Sequence, residues 1–187
     1  MKFLKYTRLL LLLTALVSIP ALALLQAQGT EKDKLAPYYP TPQLVVDKML
    51  QLGGLKAGEH MFDLGSGDGR IVIMAAQKYK ADATGVEFDE PLYRQSMARI
   101  STLGLSKLAR IIHGDLLLQN YESADLITVY LLPVGNGLVT PILEKQLKKG
   151  ARVVAHDFEF SAWKPTRTQD IDDDGEGRSH RLYLYQR

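Results

Sequence analysis

The chain has 187 residues, 46% hydrophobic and 24% charged, which fits a single globular domain. It has no cysteine, which excludes disulfides, a thiolate zinc site and a cysteine nucleophile. The net charge of +2 belongs to the start of the chain: Lys2, Lys5 and Arg8 carry three positive charges, so the remainder is −1 and offers no basic surface for nucleic acid.

That start has the pattern of a targeting segment. Residues 9–19 are apolar except for Thr14 and Ser18, Pro20 breaks any helix, and Ala21-Leu22-Ala23 reads as a small-x-small cleavage site. The pattern predicts a secretory signal peptide. A membrane anchor competes, although a span needs ~20 apolar residues and residues 9–25 fall a little short. A mitochondrial-type presequence is a third reading. The expected organisation is a signal peptide or membrane anchor over residues 1–23, a polar linker over 24–36, and one domain over 37–187. The expected location is exported or membrane-anchored, or mitochondrial in a eukaryote.

Pro37, Pro40 and Pro42 exclude a helix interior before residue 43. Thr41 is placed to cap the helix that follows, with Pro42 at its first position. Leu44, Val45, Met49 and Leu52 recur at helical spacing, and Gly53-Gly54 stops the run. From there strands and helices alternate. Strands are expected over 60–64, 83–87, 109–113, 125–131 and 151–156, and helices over 70–79, 91–103 and 139–147. A last strand spans 181–186, with Leu182 and Leu184 on one face and Tyr183 and Tyr185 on the other. Strand–helix alternation with near-continuous apolar strands means a parallel sheet covered on both faces. Ligands of such sheets bind beyond the C-terminal strand ends, which points to the loops after residues 64, 87, 113, 131 and 156.

The first of those loops is Asp63-Leu64-Gly65-Ser66-Gly67-Asp68-Gly69. Glycines directly after a strand allow close backbone approach to a nucleotide-type cofactor. The spacing G-x-G-x-G departs from the dinucleotide fingerprint G-x-G-x-x-G. Asp63 and Asp68 would repel a pyrophosphate and favour a cation, such as the α-amino group of S-adenosylmethionine. Glu87 ends the second strand, where an acid accepts hydrogen bonds from ribose hydroxyls. Gly114-Asp115 follows the third strand, where a carboxylate accepts from an adenine amino group. Each acid alone reads equally as a helix cap or solvated loop residue. Three acids at successive strand ends on one ligand edge favour a cofactor site, and S-adenosylmethionine is the expected cofactor.

The segments Phe62 to Arg70, Gly85-Val86-Glu87 and Gly114-Asp115 resemble the cofactor motifs of class I S-adenosylmethionine-dependent methyltransferases. Tyr38-Tyr39-Pro40-Thr41 and the residues from Phe158 to Pro165 resemble, more closely, the small lysine methyltransferases acting on the adenine nucleotide translocase and the ATP synthase c-subunit. The resemblance implies a Rossmann-like, doubly wound, mostly parallel seven-stranded sheet with an antiparallel C-terminal strand. It implies a cofactor site of Asp63, Gly65, Ser66, Gly67, Glu87 and Asp115, joined by Thr41. It also implies a protein lysine as acceptor, with a small molecule as the alternative.

The fourth strand ends Val129-Tyr130-Leu131-Leu132-Pro133 and lacks the Asn/Asp-Pro-Pro-aromatic clamp usual for amide or adenine nitrogens. Tyr130 is a candidate for lining the acceptor channel, with a core tyrosine as the other reading. Trp163, with Phe160, is a candidate for covering it, with packing against the sheet as the other reading. His156 and Asp157 sit at a strand end, but no dedicated general base stands out. Asp170-x-Asp172-x-Asp174-Gly175 begins like a calcium loop, yet Arg181 stands where a bidentate glutamate is needed. A solvated turn is expected there and no metal site. Two other functional classes compete with the methyltransferase: an NAD-dependent oxidoreductase, and an exported binding module that keeps the fold without catalysis.

Overall fold

The computed structural model describes residues 35–187, so the expected leader over 1–23 lies outside the described residues. The element order is α1 (Gln43–Leu52), β1 (His60–Leu64), α2 (Arg70–Tyr79), β2 (Asp82–Glu87), α3 (Glu90–Thr102), β3 (Ala109–His113), a 3₁₀ turn (Leu116–Leu118), β4 (Leu126–Val129), α4 (Pro133–Gln146), β5 (Arg152–His156), β6 (Arg167–Ile171) and β7 (His180–Gln186). The strands form one seven-stranded sheet in the order β3-β2-β1-β4-β5-β7-β6. Strands β1 to β5 pair in parallel. Strand β7 is antiparallel to β5, and β6 is antiparallel to β7. This is a Rossmann-like, doubly wound α/β sheet closed by antiparallel C-terminal strands.

Each face of the sheet has its own core. On one face Val45, Val46 and Met49 of α1 and Ile71, Val72 and Ala75 of α2 pack with Met61, Leu126, Val154 and Leu182. On the other, Val139 and Leu143 of α4 and Tyr121 pack with Leu64, Ile127, Val129, Val153 and Tyr185. The alternation expected for Leu182 and Tyr185 follows from this two-sided burial.

Two expectations are corrected, and one strand is not foreseen in the sequence. Thr41 does not cap α1: Pro42 stands at the cap with no side-chain bond, and the Thr41 hydroxyl turns to His156 instead. Helix α4 begins six residues before the expected start at 139, with Pro133 in its first turn, and it passes through Gly135, Gly137 and Pro141. Gly135 is buried, and a Cβ there would lie 3.1 Å from the Leu131 Cβ. Close packing therefore accounts for a residue that reads as a breaker. Strand β6 shows no apolar run; of its five residues only Ile171 is buried, because it is the sheet edge. Among the described residues no helix is long and apolar enough to cross a membrane.

Leu126 is fully buried at the start of β4, with its methyls against Gly53 where α1 ends. Leu126→Ala is expected to cost about 2–5 kcal/mol of stability, read as a lower midpoint in urea denaturation at unchanged m-value.

Candidate functional site

The C-terminal ends of β1, β2, β3, β4 and β5 share one edge because these strands run parallel. The glycine loop after β1 folds back over β2: the Gly65 and Ser66 amides both donate to the Val86 carbonyl, at 3.0 and 2.9 Å. Gly67 has φ +54° and lies under the Tyr38 ring, 2.7 Å from where its Cβ would stand. Gly85 allows the same close approach from β2, since a Cβ there would meet the Ser66 Oγ at 2.5 Å and Ile111 Cδ1 at 2.6 Å. Ser66 is buried, and its hydroxyl has no hydrogen-bond partner.

The acids at this edge differ in their freedom. Asp63 is 2% exposed and accepts from the Thr128 hydroxyl at 2.8 Å. Burial raises its pKa, the Thr128 bond lowers it, and the Glu87 and Asp68 carboxylates raise it again, leaving it at about 7. Glu87 accepts from the Gly67 amide at 2.6 Å and the Asp89 amide at 2.8 Å, one on each oxygen. Its remaining lone pairs leave room for two further donors. Asp115 caps the 3₁₀ turn, with one oxygen on the Leu117 amide at 2.8 Å. Asp68, expected to attract a cation, is already paired. Burial opposes its ionisation, but the Arg70 fork at 2.8 and 2.9 Å holds it below the usual carboxylate range. Its contribution to the case against a pyrophosphate is thereby withdrawn, and that of Asp63 stands.

Arg70 also donates to the Thr41 carbonyl at 2.8 Å. Thr41 is 4% exposed, with its hydroxyl 3.3 Å from His156 Nδ1. The carbonyl and the hydroxyl of Thr41 thus both meet protein groups, which makes it a joint between the segment before α1 and the strand ends.

Beside the glycine loop lies an apolar pocket of about 250 Å³, lined by Ala36, Pro37, Tyr39, Tyr130, Leu131, Leu132 and Phe158. Leu131 joins the two regions, since a Cβ on Gly65 would lie 3.3 Å from its Cδ2. Tyr130 lies in the pocket wall and packs at a tilt on His156, ring centroids 3.9 Å apart and planes 37° apart. Burial, then the Asp157 carboxylate, push its hydroxyl up to about 12, so it is neutral at physiological pH. Tyr130 Oη donates to Asp157 Oδ2 at 3.3 Å. Burial holds His156 well below the usual imidazole range, against the pull of Asp157 and with that of His180.

Trp163 is a correction. Its Nε1 donates to Glu144 at 2.8 Å, and its ring packs on Phe160 and Tyr185. Tyr185 pairs with Val153 near the start of β5, so Trp163 sits at the opposite end of the strand from the ligand edge. Its large apolar ring closes the second core instead of covering the site. Asp174 is a second correction. It is not solvated but 5% exposed, accepting from Arg178 and facing His180. Against the cost of burial, the Glu176 and Arg178 amides, His180 and the Arg178 guanidinium hold its carboxyl well below the usual range. The sequence does not single out Thr128, Arg70 or His180. The available signal is a polar residue within or at the end of an apolar strand, which Thr128 and His180 both satisfy.

This fold and glycine-loop geometry agree with known proteins. The family described as "ANTKMT methyltransferase domain" matches residues 63–167. A protein-lysine N-methyltransferase of Saccharolobus islandicus is 37% identical over 80% of this chain and 92% of its own length. The mouse adenine nucleotide translocase lysine N-methyltransferase is 32% identical over 69% of the chain, which spans about half (56%) of that relative. A solved structure described as an RNA methyltransferase from Salinibacter ruber, in complex with S-adenosyl-L-homocysteine, is 38% identical with a TM-score of 0.73, covering 79% of this chain and 93% of that one. The chain belongs to the ANTKMT methyltransferase domain family and is an S-adenosylmethionine-dependent methyltransferase.

Proposed function

We propose that the chain N-methylates a lysine side chain of a protein, and the observation that carries this is the apolar pocket joined to the glycine loop through Leu131. At about 250 Å³ the pocket is smaller than the ~300–1,000 Å³ typical of sites for drug-sized ligands. That suits one extended side chain. The names of the Saccharolobus and mouse relatives support the same acceptor.

The residues fit the cofactor. Asp63 offers a buried carboxylate to its α-ammonium, Glu87 the free lone pairs of its two oxygens to the ribose hydroxyls, and Asp115 an oxygen to the adenine amino group. Gly65, Ser66 and Gly67 would form the wall beside it. When bound, S-adenosylmethionine supplies an electrophilic methyl group on its sulfonium. The chain's own work is positioning and exclusion of water. A lysine ammonium has no lone pair and must lose a proton before it attacks. Walls of Tyr39, Tyr130, Phe158, Leu131 and Leu132 desolvate it, which lowers its pKa so that the proton passes to solvent water before the neutral amine attacks. The neutral Tyr130 hydroxyl is not a base at pH 7, and its bond to Asp157 fixes the ring that forms the wall.

The Salinibacter relative favours RNA as a second acceptor class. Incubation with labelled S-adenosylmethionine and, separately, a lysine-rich protein extract and total RNA decides between them. Label on lysine, seen as 14-Da increments in peptide mass spectra, is the expected result; label confined to RNA would overturn the lysine reading. Residues 1–23 we read, on their pattern alone, as an export signal or membrane anchor, and intact-mass measurement of the native protein shows whether they are removed.

Three variants test the roles proposed above. Glu87→Ala is expected to weaken S-adenosylmethionine binding about 10- to 100-fold in calorimetry, the loss of hydrogen bonds to a charged group. Tyr130→Ala is expected to lower kcat at least about tenfold while leaving cofactor affinity within about twofold, since positioning is the effect removed. Asp63 titrates near 7 folded and about 4 unfolded, so folding takes up a proton between those values. The raised pKa makes its contribution unfavourable, growing as pH rises from about 4 to about 7. Asp63→Asn in the cofactor-free protein should therefore gain melting temperature relative to wild type at pH 8 compared with pH 5, while losing cofactor affinity.

A further inference from the structure

Behind Tyr130, three side chains from separate positions converge. His156 ends β5, Asp157 follows it, and His180 begins β7. Both histidines are buried, at 1% and 8% exposure. His156 Nε2 lies 2.9 Å from His180 Nδ1, His180 Nδ1 lies 3.0 Å from Asp157 Oδ2, and His156 Nε2 lies 3.4 Å from Asp157 Oδ2. Asp157 reaches this position from a left-handed backbone conformation, φ +59°, with its other oxygen held by the Arg181 amide at 3.0 Å.

The outer atoms of both rings are also occupied. His180 Nε2 faces Asp174 Oδ2 at 3.2 Å and its Nδ1 faces Asp157 Oδ2 at 3.0 Å; either carboxylate can hold the ring proton, and in the metal-binding tautomer Asp174 holds it on Nε2. In the neutral ring the inner Nδ1 is then a lone pair. His156 Nδ1 faces the Thr41 hydroxyl at 3.3 Å, which accepts the Nδ1 proton when His156 is in that tautomer. Its inner Nε2 is then a lone pair as well. With both rings in these tautomers, two imidazole lone pairs and a carboxylate oxygen lie within 3.4 Å of one another, an arrangement that a cation between them stabilises and that a proton on His156 Nε2 relieves in the metal-free protein. A carboxylate behind one ring and a hydroxyl behind the other are the outer partners that orient metal-ligating histidines.

We propose that His156, His180 and Asp157 bind one divalent transition-metal ion of the zinc type. From the three separations, a point about 2 Å from all three atoms lies roughly 1 Å out of their plane, matching Zn–N and Zn–O distances of about 2.0–2.2 Å. Two imidazoles with one carboxylate suit zinc, cobalt, nickel or iron(II) over magnesium or calcium. The bound ion pins the end of β5 to the start of β7, and through Asp157 it fixes Tyr130 in the pocket wall.

Metal uptake is measured without any methyl acceptor, so its outcome is independent of the lysine reading. The untagged full chain, stripped with a chelator and dialysed, is titrated calorimetrically with zinc chloride and with magnesium chloride. One equivalent of zinc and no magnesium is expected. His180→Ala, checked for folding by circular dichroism, should weaken zinc binding at least about 100-fold. Asp174→Asn, which leaves the inner ligands in place, should weaken it about 10- to 100-fold. His113→Ala, a change at an exposed imidazole, should leave it unaltered. Cobalt chloride should give visible ligand-field absorption that His180→Ala lacks. No zinc uptake, or uptake unchanged in His180→Ala, or weakened equally by His113→Ala, would overturn the proposal and leave the cluster a hydrogen-bonded network.

Discussion

The Val86 carbonyl accepts two backbone amides from the glycine loop, those of Gly65 and Ser66. That pair of bonds bends the chain off β1 across the end of β2, and the arrangement of the cofactor edge follows from it. Gly85 must lack a side chain because Ser66 passes over it. Gly67 arrives with its amide on Glu87. Tyr38, from before the first helix, then has a flat surface to lie on. Parallel pairing of β1 with both β2 and β4 supplies the rest, since it places Thr128 beside Asp63 in register.

Most of the sheet is legible in the sequence because its strands are buried on both faces and interrupted by turn residues. Strands β1 and β3 and helix α2 have the bounds that apolar pattern and glycine punctuation predict. Legibility fails where burial and polarity part company. Strand β6 is an exposed edge with polar residues, and its pairing comes from β7, not from its own sequence. The pattern shortens helix α4 because Gly135 and Gly137 are poor helix formers, whereas packing against Leu131 overrides propensity. The acids at strand ends are legible as a group, but their partners are not. Arg70 neutralising Asp68 and Thr128 bonding Asp63 are contacts between side chains that no spacing encodes.

The ligand edge divides into two electrostatic territories. On the glycine-loop side, the Asp63 carboxyl is buried on the Thr128 hydroxyl and Glu87 is braced by two amides, so hydrogen-bond acceptors are held in place before any ligand arrives. On the pocket side, which we propose takes the acceptor, Tyr39, Tyr130 and Phe158 present rings and withhold charge. A methyl group leaving a sulfonium for a neutral amine needs this contrast: one half favours a cation at rest, and the other disfavours a cation that must shed its proton.

Contacts across almost the whole domain brace the segment that precedes α1 and lines the apolar pocket. Tyr39 meets Arg178 across 139 residues of chain, and Thr41 meets His156 across 115. Contacts of such separation carry the loop-closure entropy of nearly the whole domain, so they gain stability only once the sheet between them exists. The pocket itself is lined only by residues 36, 37, 39, 130–132 and 158, so the C-terminal segment bears on its shape from behind, through Arg178 on Tyr39 and His180 on Asp157.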